Sequence, residues 1–316
     1  MQNNPSVVVI LGTGGTIAGT AADATDNVGY TAAQIGVAQL AAAVPSLKPG
    51  FVETEQVAQV DSKDMSHAIW RELAVRCAHH LARTEVAGIV VTHGTDTLEE
   101  TAWFLQRVLA PTKPVVLTAA MRPATAVLSD GPQNLLDAVA VARLPGARGV
   151  LAVLSGRVHG AREVRKVHPY RVDAFDSGDA GAIGVIEEGE VRLFREWPQG
   201  QGLGVELLGH DASAWPRVEV ILNHVGASGA LARALGQSGV QGIVVAATGN
   251  GTLAHDLEAA LLALQRQGVA VLVSTRCADG CLKPPAGAAL PSADDLTPPK
   301  ARLDLMLRLM AAPAAV

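Results

Sequence analysis

Short apolar runs alternate with longer amphipathic segments along the first two-thirds of the chain. Strands are predicted where β-branched residues cluster, at Ser6–Leu11, Glu55–Val60, Gly88–Thr92, Pro114–Leu117 and Val150–Leu154. Helices are predicted where apolar residues recur on one face, at Ser66–Thr84, Thr97–Leu109 and Gly131–Arg143. Nearly continuous apolar strands separated by helices are typical of a largely parallel sheet that is covered on both faces. The pattern therefore predicts an α/β fold.

The alternation lapses after about Trp197 and then restarts. Residues 198–204, Pro-Gln-Gly-Gln-Gly-Leu-Gly, have the composition of a linker. Beyond them a second series is predicted, with strands at 218–222, 242–246 and 269–274 and helices at 228–237, 253–267 and about 298–311. We therefore predict an N-terminal α/β domain over 1–197 that carries the catalytic residues, a linker over 198–215 and a smaller α/β domain over 216–316.

The amino-acid composition limits the classes of protein to which this chain can belong. The 316 residues are 49% hydrophobic, which is enough for two buried cores. The net charge is −5 and no basic run is present, which argues against binding to nucleic acid. Three cysteines without framework spacing favour a reducing compartment. No leader pattern or membrane-length apolar run is present, so we expect a soluble, cytoplasmic protein with no membrane association.

The first segment with chemical potential follows the first predicted strand. Residues 11–19 read Leu-Gly-Thr-Gly-Gly-Thr-Ile-Ala-Gly. Ligands of parallel sheets gather at the carboxyl ends of strands, and glycines there let the backbone approach them closely. A dinucleotide fingerprint fits poorly, because Ile17 stands at the third glycine position. A tight turn needed only for packing is a further alternative, but the hydroxyl of Thr16 makes this segment a candidate site.

The second segment, residues 90–100, again has the character of strand, turn and helix. Thr95 or Asp96 could simply cap the helix, or the carboxylate could bind the ammonium of a substrate. His93 has no second His or Cys at ligand spacing, so we expect a structural histidine and no metal site.

Two further segments complete the set of candidates. The backbone around Ala120 could polarise a water or hold an oxyanion, although an ordinary loop with a structural arginine is the simpler interpretation. Lys166 could lie on a solvated charged face, or it could act as a base if it is buried beside a hydroxyl. Cys277 and Cys281 have no further ligands nearby in sequence and are interpreted as two unpaired thiols.

These segments together resemble the bacterial-type L-asparaginase family. Residues 13–19, Thr-Gly-Gly-Thr-Ile-Ala-Gly, and 92–102, Thr-His-Gly-Thr-Asp-Thr-Leu-Glu-Glu-Thr-Ala, are similar to its two signature motifs. Further similar stretches are 29–31, 61–65, 120–123, 129–132, Lys166, 248–251 and 299–302. The resemblance covers nearly the whole chain. It implies a two-domain asparaginase-like fold, in which a larger N-terminal, mostly parallel sheet flanked by helices precedes a smaller C-terminal parallel-sheet domain.

The resemblance also implies roles for five catalytic residues. Thr16 would be the nucleophile that attacks the amide carbon. Tyr30, on a flexible flap, would help to activate it. Thr95, Lys166 and Asp96 would form a second group, in which Thr95 handles the proton of the water and Asp96 also binds the α-ammonium of the substrate.

The substrate-binding set implied by the resemblance consists of Ser62, Lys63, Gly94, Thr95, Asp96, Ala120 and Asn250. Ser62 would grip the α-carboxylate, Ala120 would polarise the amide or water through its backbone, and Asn250 would support the site of a partner subunit. Lys63 stands where the family often carries Gln or Glu. The loop that begins at Cys277 lacks the Glu that many members extend into the neighbouring site, and Asp279 would be a shorter substitute.

The expected function is hydrolysis of L-asparagine to L-aspartate and ammonia through a threonine acyl-enzyme. No cofactor and no metal are expected, and the resemblance implies an intimate dimer that pairs into a homotetramer. Two alternatives stay open: a broad-specificity glutaminase-asparaginase, and a non-catalytic module that binds an amino acid.

Overall fold

The computed structural model describes residues 7–47 and 50–312. Ser6, where the first strand is predicted to begin, lies outside the described residues. The chain divides into two compact units, one ending at Gly209 and the next beginning at His210. This division falls inside 198–215, and the extent of the linker stays a prediction.

One sheet of eight described strands forms the centre of the first unit. The strands of this unit are β1 (Val7–Gly14), β2 (Val52–Val60), β3 (Val86–Thr92), β4 (Val115–Thr118), β5 (Val150–Leu154), β6 (Arg157–Gly160), β7 (Arg165–Lys166), β8 (Phe175–Asp176), β9 (Gly184–Glu187) and β10 (Glu190–Leu193). The sheet order is β10-β9-β6-β5-β4-β3-β1-β2, and β7 pairs separately with β8. Strands β2, β1, β3, β4 and β5 are parallel, whereas β6, β9 and β10 are antiparallel.

The antiparallel strands were not predicted, because they are short and joined by tight turns. Ser155 and Gly156 connect β5 to β6, and Glu188 and Gly189 connect β9 to β10, all with positive φ. Two successive residues with positive φ give the mirror-image turn that suits the twist of a hairpin. A glycine at the second position of each turn was the available sequence signal.

Helices cover both faces of this sheet. They are α1 (Val37–Ala42), α2 (His67–Leu81), α3 (Leu98–Leu109) and α4 (Gly131–Arg143). Helix α1 was not predicted, and α2 ends three residues before the predicted Thr84. The strands in the middle of the sheet read as continuous apolar runs because they are buried on both faces: every residue of β4 and β5 is buried.

The second unit repeats the same architecture on a smaller scale. Its elements are β11 (Val218–Leu222), α5 (Ala230–Gln237), β12 (Gly242–Ala247), α6 (His255–Arg266), β13 (Ala270–Thr275) and α7 (Pro298–Ala311). The three strands are parallel in the order β11-β12-β13. The predicted two-domain α/β fold, with a larger and a smaller mostly parallel sheet, is confirmed. Among the described residues, no helix has the length and apolar character needed to cross a membrane.

Candidate active site

Three of the candidate segments begin side by side at one edge of the large sheet. Gly12 of β1 pairs in register with Thr92 of β3, and Thr92 pairs with Thr118 of β4. The buried hydroxyl of Thr13 donates to the carbonyl of Thr92 at 2.9 Å, and the N–H of His93 donates to the carbonyl of Thr118 at 2.9 Å. The carboxyl ends of the strands therefore hold these segments together, as expected for a parallel sheet.

Two glycines let the first two segments touch. A Cβ on Gly15 would overlap the backbone of Gly94, and a Cβ on Gly94 would overlap the hydroxyl of Ser62. Gly15 also has φ +82°, a conformation that favours glycine. The glycines of residues 11–19 thus permit contact between two protein loops. This contact brings the Thr16 loop, the Thr95 loop and Ser62 together.

Thr16 and Tyr30 form a hydrogen-bonded pair. The Thr16 Oγ1 and Tyr30 Oη atoms are 2.7 Å apart, and either can donate. Thr16 is buried in a single helical turn after β1, whereas Tyr30 is half-buried and lies against the backbone of Gly19. Two backbone hydrogen bonds of 2.9 Å between Thr20 and Thr31 join the two ends of the segment 21–30.

A second cluster joins Lys166 to Thr95 and Asp96. The Lys166 ammonium donates to Thr95 Oγ1 at 2.9 Å and to Asp96 Oδ1 at 2.7 Å. Thr95 is buried, whereas the Asp96 side chain is half exposed and can still meet a ligand. The backbone N–H of Lys166 donates to the Glu99 carboxylate at 2.7 Å, which fixes strand β7 against the first turn of α3. Sequence reasoning assigned no role to Glu99.

Ser62 connects the two clusters, because it bonds Asp96 and lies against Gly94, which in turn lies against Gly15. It is buried, its Oγ accepts from the N–H of Asp96 at 3.2 Å, and its carbonyl accepts from the Thr97 hydroxyl at 2.8 Å. Oγ accepts in this bond, so its own hydrogen can still be donated to another group. Lys63 points to solvent and donates to Asp61 at 2.6 Å, a contact that raises the pKa of Lys63 and keeps it charged.

A hydrogen-bonded clamp around Ala120 was not predicted. The Asp130 carboxylate accepts from the N–H groups of Met121 and Arg122 at 3.0 and 2.9 Å. The buried Asn134 donates to Asp130 and to the carbonyl of Ala119, and it accepts from the N–H of Ser155. Asp130 is the N-cap residue of α4, but its side chain makes no capping hydrogen bond to the helix. Its carboxylate instead holds the segment that contains Ala120, and only the tertiary structure shows this.

His93 is a buried structural residue. Its Nδ1 is 2.7 Å from the carbonyl of Gly94, and its Nε2 is 2.9 Å from the Thr101 hydroxyl, which accepts from Trp70 Nε1 at 2.8 Å. Since a carbonyl can only accept, Nδ1 carries the proton and Nε2 accepts from Thr101. Burial lowers the pKa of His93 from its ordinary value of 6.5 to about 4. His93 is therefore neutral at neutral pH.

This histidine should make the stability of the protein depend on pH. Its pKa is lower in the folded than in the unfolded chain, so between pH 6.5 and 4 the unfolded chain binds the proton more strongly. Stability is therefore lost as the pH falls, and we expect the apparent free energy of unfolding to decrease by about 2 kcal/mol from pH 7 to pH 5 through this residue. Urea unfolding at both pH values measures this difference. His93→Gln should remove it, whereas a change at the exposed His210 should retain it; an equal difference in all three proteins would contradict the assignment.

Asn250 lies in the second unit, where it holds a loop. Its side-chain amide donates to the carbonyl of Lys283 at 2.8 Å and accepts from the N–H of Lys283 at 2.7 Å. Its role in the site of a partner subunit stays a prediction. Cys277 and Cys281 are exposed free thiols on the same loop, and Cys77 is a buried one.

The arrangement offers acyl-transfer chemistry. The Thr16–Tyr30 hydroxyl pair, the Thr95 hydroxyl bonded to Lys166 and the half-exposed Asp96 carboxylate are held together. Their loops meet at the carboxyl ends of the parallel strands. Within residues 7–47 and 50–312, no three His, Cys, Asp or Glu side chains gather in a way that could hold a metal ion. The roles of the individual residues stay predictions.

Two family models cover almost the whole chain. The model described as "Asparaginase, N-terminal" matches residues 7–199, and the model described as "Glutaminase/Asparaginase C-terminal domain" matches residues 217–313.

Individual proteins give the same result. The chain is 39% identical to "L-asparaginase 2" of Bacillus subtilis (strain 168), over 95% of this chain and 81% of that protein. It is 37% identical to a "Glutaminase-asparaginase" of Pseudomonas fluorescens biotype A, over 96% and 86%. The fold is similar to the crystal structure of a "Probable Cytoplasmic L-asparaginase" from Campylobacter jejuni, with a TM-score of 0.89, 38% identity and coverage of 97% and 96% of the two chains. The chain belongs to the asparaginase family of amidohydrolases.

Proposed function

We propose that this protein hydrolyses the side-chain amide of L-asparagine, giving L-aspartate and ammonia through an acyl-enzyme on Thr16. The observation that carries the proposal is the pairing of Thr16 with Tyr30 and of Lys166 with Thr95 and Asp96, on loops that meet at one sheet edge. Membership of the asparaginase family and the names of relatives support the substrate class.

In the first half-reaction, Thr16 Oγ1 attacks the amide carbon. A threonine hydroxyl is a poor nucleophile until a neighbour takes its proton, and Tyr30 Oη, 2.7 Å away, is placed to take it while its own proton passes on towards the leaving nitrogen. The tetrahedral oxyanion needs donors, which the backbone around Ala120 would supply. Collapse of the intermediate breaks the carbon–nitrogen bond, the proton passes to the leaving nitrogen, and ammonia departs from the Thr16 ester.

In the second half-reaction, water attacks the ester carbon. The Thr95 hydroxyl takes the proton of the water while its own proton passes to Lys166 Nζ, 2.9 Å away, which serves as the base in its neutral amine form. The Thr16 oxygen leaves and is protonated again, which releases the carboxylate of aspartate. The net reaction consumes one water and needs no redox cofactor.

The charged groups are arranged to hold the backbone of the amino acid. Asp96, half exposed, would bind the α-ammonium, and the free hydrogen of the Ser62 hydroxyl would donate to the α-carboxylate. Lys63 adds a nearby positive charge that is partly neutralised by Asp61. Exclusion of water by the flap would strengthen these attractions.

A coupled ammonia assay with L-Asn, L-Gln and D-Asn tests the proposal. We expect turnover of L-Asn and a lower kcat/KM for L-Gln, because kcat/KM compares the transition states of the two amides. Tight binding of asparagine without ammonia release would contradict the proposal and favour a binding module.

Broad glutaminase-asparaginase activity is the second candidate. The observation in its favour is the 37% identity to a protein named "Glutaminase-asparaginase", which is close to the identity with the L-asparaginases. Lys63 is the residue of the proposed substrate-binding set at which this chain differs from the family, which often carries Gln or Glu there. Its side chain is exposed. Equal kcat/KM values for the two amides would support this candidate over the first.

The clamp around Ala120 leads to a further prediction. Asp130→Asn removes the charge that two backbone N–H groups share, so segment 119–122 should lose its fixed position. We expect kcat for asparagine to fall about tenfold with little change in KM. The matched control is Asp137→Asn, which changes a buried carboxyl on the same helix that accepts from the Gln133 side chain. Equal losses in the two variants would indicate general destabilisation of α4.

We also propose an intimate dimer that pairs into a homotetramer, and a cytoplasmic location. The resemblance and the name of the Campylobacter jejuni protein support these proposals, while another relative is named "Probable L-asparaginase periplasmic". Analytical ultracentrifugation measures the assembly.

A further inference from the structure

Lys166 does not follow a strand of the central sheet, as Thr16 and Thr95 do. It belongs to β7, a strand of two residues that pairs with β8 and in which Lys166 lies opposite Phe175. Strand β7 is not one of the eight strands of the central sheet. The burial of that sheet places the loops of Thr16 and Thr95, but it does not by itself fix the position of Lys166.

The first turn of helix α3 holds this strand through Glu99. The backbone N–H of Lys166 donates to Glu99 Oε2 at 2.7 Å, and Lys166 Nζ lies 2.9 Å from Thr95 Oγ1. The lysine is therefore anchored both at its main chain and at the end of its side chain, within the segment 95–99. Because a lysine side chain has a long and flexible stem, fixing its main chain restricts the positions that its nitrogen can reach.

Glu99 is more than a charge that suits the start of a helix. A carboxylate in the first turn usually stabilises the helix through the partial positive charge of the amino end. Glu99 lies in the first turn of α3, but its carboxylate also accepts from a residue 67 positions away in the chain. The length of 2.7 Å is typical of a charge-assisted hydrogen bond, which is about twice as strong as a neutral one.

We propose that Glu99 is a positioning residue for hydrolysis of the acyl-enzyme. Its carboxylate holds the main chain of Lys166, so that Nζ stays within reach of the Thr95 hydroxyl. The inference rests on the proposed function, in which Nζ receives the proton that Thr95 relays from the attacking water. Glu99 therefore acts through Lys166 on the second half-reaction and not on the attack by Thr16.

Glu99→Ala should slow the second half-reaction alone. We expect kcat for ammonia release from L-asparagine to fall about tenfold, since a catalytic group displaced by about 1 Å can lose up to about a hundredfold in rate. KM should fall in the same proportion, because kcat/KM reports the steps up to the release of ammonia, which precede the attack of water. A burst of ammonia and an aspartyl adduct, detected by mass spectrometry after rapid quenching, should accompany the slow turnover.

Two further single variants separate positioning from general destabilisation. Glu99→Gln keeps an oxygen that can accept the N–H of Lys166, so its kcat should stay within about threefold of that of the unaltered protein. Asp256→Ala is the matched control, because Asp256 lies in the first turn of α6 and also accepts a backbone N–H, that of Gly229 at 2.9 Å. Asp256 belongs to the second unit and to no part of the proposed site, so kcat and KM should change less than about twofold. Thermal unfolding verifies that each variant is folded.

The double variant Glu99→Ala, Lys166→Met tests whether Glu99 acts through Lys166. Without the amine nitrogen nothing remains to be positioned, so its kcat should equal that of Lys166→Met within about twofold. A further tenfold loss in the double variant would overturn the inference. A fall of kcat/KM in Glu99→Ala, or equal losses of kcat in Glu99→Ala and either Glu99→Gln or Asp256→Ala, would also overturn it.

Failure of the proposed function is recognised separately. If the unaltered protein releases no ammonia from L-asparagine, or if Thr16→Ala releases it at the normal rate, the proposed function fails and this inference fails with it. Ammonia release that depends on Thr16, together with unchanged kcat and KM in Glu99→Ala, would overturn the inference alone.

Discussion

Thr16→Ala is expected to lower kcat for ammonia release from L-asparagine by about 10⁴-fold. The change removes the atom that would form the ester, so the remaining rate would come from binding and oxyanion stabilisation alone. Thr16 is buried in a short turn and its hydroxyl bonds Tyr30. The change removes one hydroxyl and one methyl only, so the fold should stay intact. The ammonia assay measures the rate, and mass spectrometry after rapid quenching should detect an aspartyl adduct on the unaltered protein only.

Thr13→Val is the matched control for this result. Thr13 lies three residues before Thr16, near the end of β1, and is also buried, but its hydroxyl donates to the carbonyl of Thr92. Its loss should reduce stability by about 1–2 kcal/mol and change kcat only a few-fold. Turnover by Thr16→Ala at the normal rate, or an equal loss in Thr13→Val, would show that Thr16 is not the nucleophile.

Lys166→Met is expected to lower kcat about 10³-fold. Methionine fills a similar space but removes the nitrogen that contacts Thr95 and Asp96, so the proton relayed through Thr95 from the attacking water loses its final acceptor. The second half-reaction should suffer most. We therefore expect a burst of about one ammonia per active site, followed by slow turnover and accumulation of the aspartyl adduct.

The burst distinguishes this variant from Thr16→Ala, which should form no adduct. Lys113→Met serves as the control, because Lys113 is another partly buried lysine whose ammonium bonds a carbonyl, that of Arg83. Its kcat should be unchanged. Slow turnover of Lys166→Met without a burst would place Lys166 in the first half-reaction or in substrate binding, and would contradict the assignment to deacylation.

Local pattern was sufficient to predict the elements that lie in the interior. Residues 150–154 and 131–143 were predicted with the bounds that the structure gives, because a strand buried on both faces and a helix with one apolar face each have a distinctive periodicity. The short antiparallel strands β6, β9 and β10 lack such a period. Their pairing depends on tight turns and on neighbours distant in sequence, so pattern alone did not reveal them.

The candidate site shows the same division. The sequence by itself determined the residue types and the loops that carry them, Thr16 and Thr95 after strands, and it determined the family through two motifs. Only the tertiary structure decided which groups touch: that Lys166 reaches Thr95, that Gly15 lies against Gly94, and that Asp130 holds the segment around Ala120. The physical reason is that strand order and register, set by burial of the whole sheet, bring together residues that are up to 79 positions apart.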